Sequence, residues 1–195
     1  IAEGSRSIVK ENIKTSYEKD YEVVGLRKNG EEFPLRIEGR IIPYEGKNMR
    51  VVEFRDITAQ KKGEEKIRAV EENLKRTFDL SPSIIAKVNL NTGYFIEVNK
   101  AVTKILGHTM EEFTSKPLME FIHPDDKQKT TDKVFEKLKG TQETFFENRY
   151  LCKDGSFKWM AWNGSKVDKN GFVTAIGSDI SVRKIIEQQI IETKH

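Results

Sequence analysis

The side chains best able to do chemistry in this chain are two amides, two carboxylates, one thiol and three imidazoles. Asn148 and Asn163 stand among apolar neighbours, where an amide either grips the edge of a planar polar ligand or pairs with backbone and buried water. Asp56 and Asp179 each stand two residues before a hydroxyl, Thr58 or Ser181. A carboxylate there can accept backbone N–H groups at a helix start, or the indole N–H of Trp159 or Trp162, while the two hydroxyls suit helix N-caps. The lone Cys152 cannot close an internal disulfide, which fits a reducing compartment and an inert small residue. His108 follows Gly107 as a turn residue, His123 precedes Pro124 at a helix start, and His195 is terminal. The 195 residues contain no glycine-rich phosphate loop, Cys-x-x-Cys pair, phosphoacceptor histidine segment or ATP-binding motif, so neither a catalytic centre nor a metal site is expected.

Strand alternation decides which of these side chains share an interior. With Glu147 and Arg149 solvated, Phe146, Asn148 and Tyr150 turn inward. With Lys158 solvated, Trp159, Ala161 and Asn163 turn inward, and Met160 and Trp162 form an outer apolar patch with Phe145. Those six inward residues are the candidate ligand-binding set.

The strands belong to a pattern that occurs twice, roughly 125 residues apart. The first copy, Tyr21 to Thr58, reads as strand, Asn29-Gly30 turn, strand Phe33 to Ile42, a turn at Gly46, strand Met49 to Phe54, then Asp56-Ile57-Thr58. The second, Phe145 to Ser181, repeats it with Asp154-Gly155, Phe157 to Trp162, Asn170-Gly171, Phe172 to Gly177 and Asp179-Ile180-Ser181. Asn-Gly and Asp-Gly between apolar alternations signal hairpins of type I′, so each copy is a three-stranded antiparallel meander. A charged helical segment follows each, Ala59 to Thr77 and Val182 to Thr193. Ile67, Val70 and Leu74 make a short coiled-coil seam, continued in kind by Ile186 and Ile190, although packing on the parent domain explains the same spacing.

Between the first helix and the second meander, Ser83 to Val88 and Tyr94 to Val98 read as two strands, and Asn99 caps a short helix ended by Gly107. Pro124 opens a longer helix to about Leu138, with Val134, Phe135 and Leu138 on one side and Gly140 as its stop. A five-stranded antiparallel sheet with helices on one face is the economical α+β assembly. Lys+Arg number 34 against 31 Asp+Glu, interspersed, which leaves +3 and suggests no nucleic-acid footprint. The start lacks the basic and apolar runs of a signal peptide, and no membrane contact is expected. A first residue that is not Met, and a helical tail without a stop signal, read as an excerpt from a longer polypeptide.

Several segments together resemble the PAS/PAC sensor family of histidine kinases and related signalling proteins. They are Phe95 to Ala101, Ile105 to Phe113, Phe121-Ile122-His123-Pro124-Asp125-Asp126, Lys153-Asp154-Gly155 and Asp179-Ile180-Ser181. The resemblance implies a complete PAS domain over 78–181, the C-terminal part of another over 1–58, a helical linker over 59–77 and the start of an output helix over 182–195. It also implies a cytoplasmic sensory and relay region that dimerises, passing signals through Asp56, Thr58, Asp179 and Ser181, with a ligand, where there is one, on the concave side. Haem is disfavoured because the long helix, Lys127 to Gly140, has no His, and a light-sensing flavin lacks its Cys there. A flavin redox sensor using Asn148 and Asn163, and a ligand-free dimerisation spacer, stand as alternatives to the ligand sensor.

Overall fold

The computed structural model describes residues 1–140 and 145–193; His195 lies outside the described residues. The chain divides into two compact units, Ile1–Asn73 and Leu74–His195.

In the first unit a 3-10 turn leads into α1 (Arg6–Lys14), followed by β1 (Tyr21–Leu26), β2 (Glu32–Tyr44) and β3 (Lys47–Asp56), an antiparallel sheet in the order β1-β2-β3. The β2–β3 hairpin is longer than the apolar alternation indicated, because Glu45 and Gly46 both take positive φ (48° and 76°) and close a tight turn that pairs Tyr44 with Lys47. At Asn29-Gly30 and Asp154-Gly155 only the glycine is left-handed, and the preceding side-chain oxygen accepts the N–H two residues on. These are Asx turns closing the expected hairpins, rather than type I′ turns. Val23, Leu35 and Ile37 form the unit's buried core, and Val9 is the α1 residue packed on it. Arg50 reaches from β3 to the carbonyls of Asn12 (2.9 Å), which also accepts the Tyr17 N–H, and of Tyr17 (2.7 Å), tying the chain after α1 to the sheet. Among the described residues β3 has no strand on its far side.

Helix α2 (Thr58–Leu80) leaves this sheet, and Ile67, Val70 and Leu74 are all exposed along it. In the second unit β4 (Ile84–Asn89) and β5 (Tyr94–Val98) are followed by α3 (Ala101–Leu106), α4 (Met110–Thr114) and α5 (Lys127–Leu138). Then come β6 (Phe145–Leu151), β7 (Phe157–Gly164), β8 (Phe172–Asp179) and α6 (Ser181–Thr193). The antiparallel sheet runs β5-β4-β8-β7-β6, the α+β architecture that the pattern of elements predicts. Asn99 does not cap α3: it is fully buried, accepts the Ile85 N–H (3.0 Å) and donates to Phe78 O (2.8 Å) and Ser83 O (3.0 Å), tying β4 to the end of α2. Helix α4 has a full capping box, Thr109 and Glu112 bonding each other's backbone, with Lys153 closing on Glu112 at 2.7 Å.

Pairing corrects the predicted facing of β7. Asn148 stands opposite Met160 and Phe146 opposite Trp162, so Met160 and Trp162 face inward with them, while Trp159, Ala161 and Asn163 lie on the other face. The misleading residue is Lys158. It has inward parity, but at the rim its long side chain escapes to Asp179 (2.9 Å), so its charge says nothing about which face is wet. Helix α5 is rotated from expectation as well: Thr130, Val134 and Lys137 face the sheet, and Phe135 is 57% exposed.

Candidate functional site

The inner face of the second sheet and α5 enclose a cavity of about 90 Å³, floored by Val88, Phe95, Val173 and Ala175 and walled by Phe146, Tyr150 and Trp162. Thr130, Lys133, Val134 and Lys137 close it from α5. Of the six residues predicted to bind ligand, Phe146 and Tyr150 line this cavity, and burial pushes the Tyr150 phenol up. Asn148 is fully buried beside it; its Nδ2 donates to Thr130 Oγ1 (3.1 Å), whose hydroxyl donates to Asp126 O (2.8 Å). Its Oδ1 has no partner among the described residues.

Trp159, Ala161 and Asn163 are not brought to the cavity. Trp159 lies instead beneath Arg149 and Lys184, each 5.3 Å from its ring centre, and Asn163 is exposed. The two amides proposed for a flavin edge therefore stand on opposite faces of the sheet, and neither His108 nor His123 lines the cavity. His108 Nε2 meets Leu151 O at 3.0 Å, and His123 Nδ1 accepts the Asp125 N–H. Cys152 is buried in the core cluster.

Sequence reasoning missed Trp162, Lys137 and Thr130. A signal for Trp162 is Gly177, directly opposite it on β8: a Cβ there would sit 2.6 Å from the indole ring, so the glycine makes room for a large inward side chain. The Trp162 Nε1 is buried without a partner among the described residues. Lys137 Nζ donates to Gly164 O (3.1 Å), and burial holds its pKa below the usual lysine value.

The outer face of β6 and β7 receives the start of α6. Glu147 pairs with Lys184 (2.7 Å) and with Arg183, Ile180 N donates to Trp159 O (2.8 Å), and Trp159 N donates to Ser181 Oγ (3.1 Å). The two aspartates act alike. Asp56 Oδ1 accepts from Thr58 N (2.9 Å) and Thr58 Oγ1 (2.6 Å) while Arg27 binds its other oxygen, and these bonds hold its pKa at about 2. Asp179 Oδ1 accepts the Ser181 N–H (2.9 Å) and Oδ2 faces Lys158. Burial works to raise the Asp179 pKa, but the bonds from Ser181 and Lys158 outweigh it and the carboxyl is lowered. The carboxylates, rather than the Thr58 and Ser181 hydroxyls, thus meet the first free N–H of each helix, and the Asp179 carboxylate has Ser181 and Lys158, not an indole, as its partners. An Asp179→Ala chain is expected to lose about 1–2 kcal/mol of second-unit stability in urea unfolding. A loss below about 0.5 kcal/mol, the scatter of ordinary surface changes, would show the carboxylate to be dispensable.

Among the described residues there is no cluster of three metal-ligating side chains, and no helix is long and apolar enough to cross a membrane. Family models describing the PAS fold and the PAS domain match residues 95–178 and 2–59, respectively. The PAS domain of an HTR-like protein from Haloarcula marismortui superposes with a TM-score of 0.51 at 23% identity, covering 62% of this chain and 99% of that one. An RNA-binding light-oxygen-voltage receptor superposes at 0.53 with 9% identity, over 99% of this chain and 87% of its own. The basic helix-loop-helix ARNT-like protein 2 of Gallus gallus is 28% identical over 134 residues, which is 68% of this chain but only 18% of that protein. With both meanders matched by models of one family and the five-stranded sheet shared with its solved members, the chain belongs to the PAS family of sensor domains.

Proposed function

We propose that this chain is the cytoplasmic sensory and relay region of a larger signalling protein, of the kind that histidine kinases carry, and that the second-unit cavity takes a small molecule whose presence is passed to α6. The observation that carries this reading is the alternation of β6. Its inward residues Phe146 and Tyr150 line the cavity and Asn148 holds α5, while the intervening Glu147 grips Lys184 and Arg183 of α6. A ligand that shifts the inner side chains must therefore move the strand that anchors the helix. A second copy of the chain is the partner this reading implies: the exposed Ile67, Val70 and Leu74 on α2, and Ile186 and Ile190 on α6, repeat at spacings suited to a parallel helix pair. A ligand-free spacer would share those stripes but would have no use for the cavity.

The test uses decanol as an apolar probe. Decanol is expected to change Trp fluorescence and to alter amide hydrogen exchange across 181–190. Glu147→Gln, which keeps the strand but drops the ion pairs, should bind decanol as tightly while losing the exchange response. If decanol binds and α6 exchange in the unaltered chain does not change, the relay reading fails and the spacer reading replaces it.

A further inference from the structure

The cavity wall is largely apolar, and two of its polar groups, on Lys137 and Trp162, stand out. Lys137 stands one turn beyond Val134 on α5 and brings its ammonium to the lining, where its one described hydrogen bond is to Gly164 O. Among the described residues no carboxylate lies within ion-pair distance of it, whereas Lys133, one turn earlier on the same helix, pairs with Glu136 (3.0 Å). An ammonium against an apolar wall with a single carbonyl costs desolvation energy that no carboxylate among the described residues returns. Its room is provided for: a Cβ on Gly164 would meet Lys137 Nζ at 3.5 Å and Val173 Cγ1 at 3.1 Å.

The second group is the Trp162 indole. The residue is 4% exposed, lines the same cavity, and has a buried Nε1–H with no acceptor among the described residues. Trp162 lies two residues before Gly164 on the same face of β7, about 6–7 Å along the strand. A buried neutral donor without an acceptor and a partly buried cation without a counterion among the described residues, anchored one strand step apart on β7, ask for the same complement.

We infer that the cavity takes an amphiphilic monocarboxylate, its carboxylate between Lys137 and the Trp162 N–H and its hydrocarbon chain along Val88, Phe95 and Leu118. This rests on the reading of the cavity as the ligand site. Charge count narrows the class. One cation without a carboxylate partner among the described residues suits one negative charge; a di- or tricarboxylate would carry further charges into an apolar wall, and a neutral apolar molecule would leave Lys137 without a counterion. Burial already depresses the Lys137 pKa, and a carboxylate counterion favours the ammonium again.

Decanoate and decanol, below micelle-forming concentration, separate the head group from the chain. Decanol is the more hydrophobic of the two, so an unselective apolar pocket would prefer it. Titrated into the 195-residue chain and followed by calorimetry, decanoate is expected to bind roughly tenfold or more tightly than decanol, the worth of one charge-assisted hydrogen bond. Lys137→Met should abolish that preference by weakening decanoate alone, with the thermal transition retained. Should that variant not fold, Trp162→Phe keeps the ring, removes the N–H, and should also weaken decanoate selectively. Equal affinity of the unaltered chain for the two probes, or equal weakening of both by Lys137→Met, would overturn the head-group assignment while leaving the cavity a ligand site. Binding of neither probe would overturn the cavity reading itself, and this inference with it.

Discussion

A Phe113→Ala chain is expected to lose about 3–5 kcal/mol of second-unit stability, the cost of removing a fully buried aromatic side chain and leaving a hole that the surroundings fill only in part. Phe113 has no exposed surface, and its ring lies 4.4 Å from that of Phe95 on β5 and 4.5 Å from that of Phe121. The three rings pin the short α4 to the edge of the sheet. Five residues are too few to make a stable helix without such packing. The measurement is clean because both tryptophans, Trp159 and Trp162, belong to the second unit, so urea unfolding followed by Trp emission reports on that unit alone. The midpoint should fall with little change in slope. A loss below about 1.5 kcal/mol, the range of a volume-conserving core swap, would mean that the three rings do not close-pack as described.

Much of this architecture is legible in the residues, and what is not legible has identifiable causes. Glycine after Asn or Asp marks the β1–β2 and β6–β7 hairpins correctly even though the turn type differs, because a left-handed glycine and an Asx oxygen signal a reversal in either case. On β6 the alternation gives the right facing, since the charged Glu147 and Arg149 share one parity and leave the other to Phe146, Asn148 and Tyr150. On β7 it fails because Met160, Trp159, Ala161 and Trp162 are apolar on both faces, so the decision fell to Lys158, a rim residue. What settles the matter lies outside β7, in the pairing of Trp162 with Gly177, and register across strands is not visible within one strand. The same limit hides the cavity's polar groups. Lys133 and Lys137 look like part of a solvated face of α5, and only the neighbouring strands show that this face is the lining. Arg149, read as solvated, is in fact the partner of Asp126.

An Asp126→Ala chain is expected to lose about 2–4 kcal/mol at neutral pH, less than a fully dry ion pair because Arg149 keeps some contact with water. Asp126 is 9% exposed, and its carboxylate accepts three bonds from Arg149: from the backbone N (2.7 Å), from Nε (2.9 Å) and from Nη2 (2.8 Å). Replacing it removes the acceptor of the Arg149 backbone N–H and leaves the guanidinium only its longer contact to Asp125 (3.4 Å). The Arg149 bonds hold the Asp126 pKa below its ordinary value, so its contribution is full above the unfolded-state pKa, about 4, and is lost as pH falls through the folded-state pKa. The difference between the unaltered chain and the variant should therefore be constant from pH 7 to about pH 5 and shrink below pH 4. Urea midpoints at pH 7, 5 and 3 check this; a gap that is unchanged at pH 3 would show that the loss comes from packing and not from the carboxylate. Asp126 also stands at the start of α5, where its carbonyl holds Thr130 and, through Thr130, Asn148. The carboxylate thus fixes the helix that carries Val134 and Lys137 against β6, so the variant should bind decanoate more weakly at neutral pH although Asp126 itself does not line the cavity.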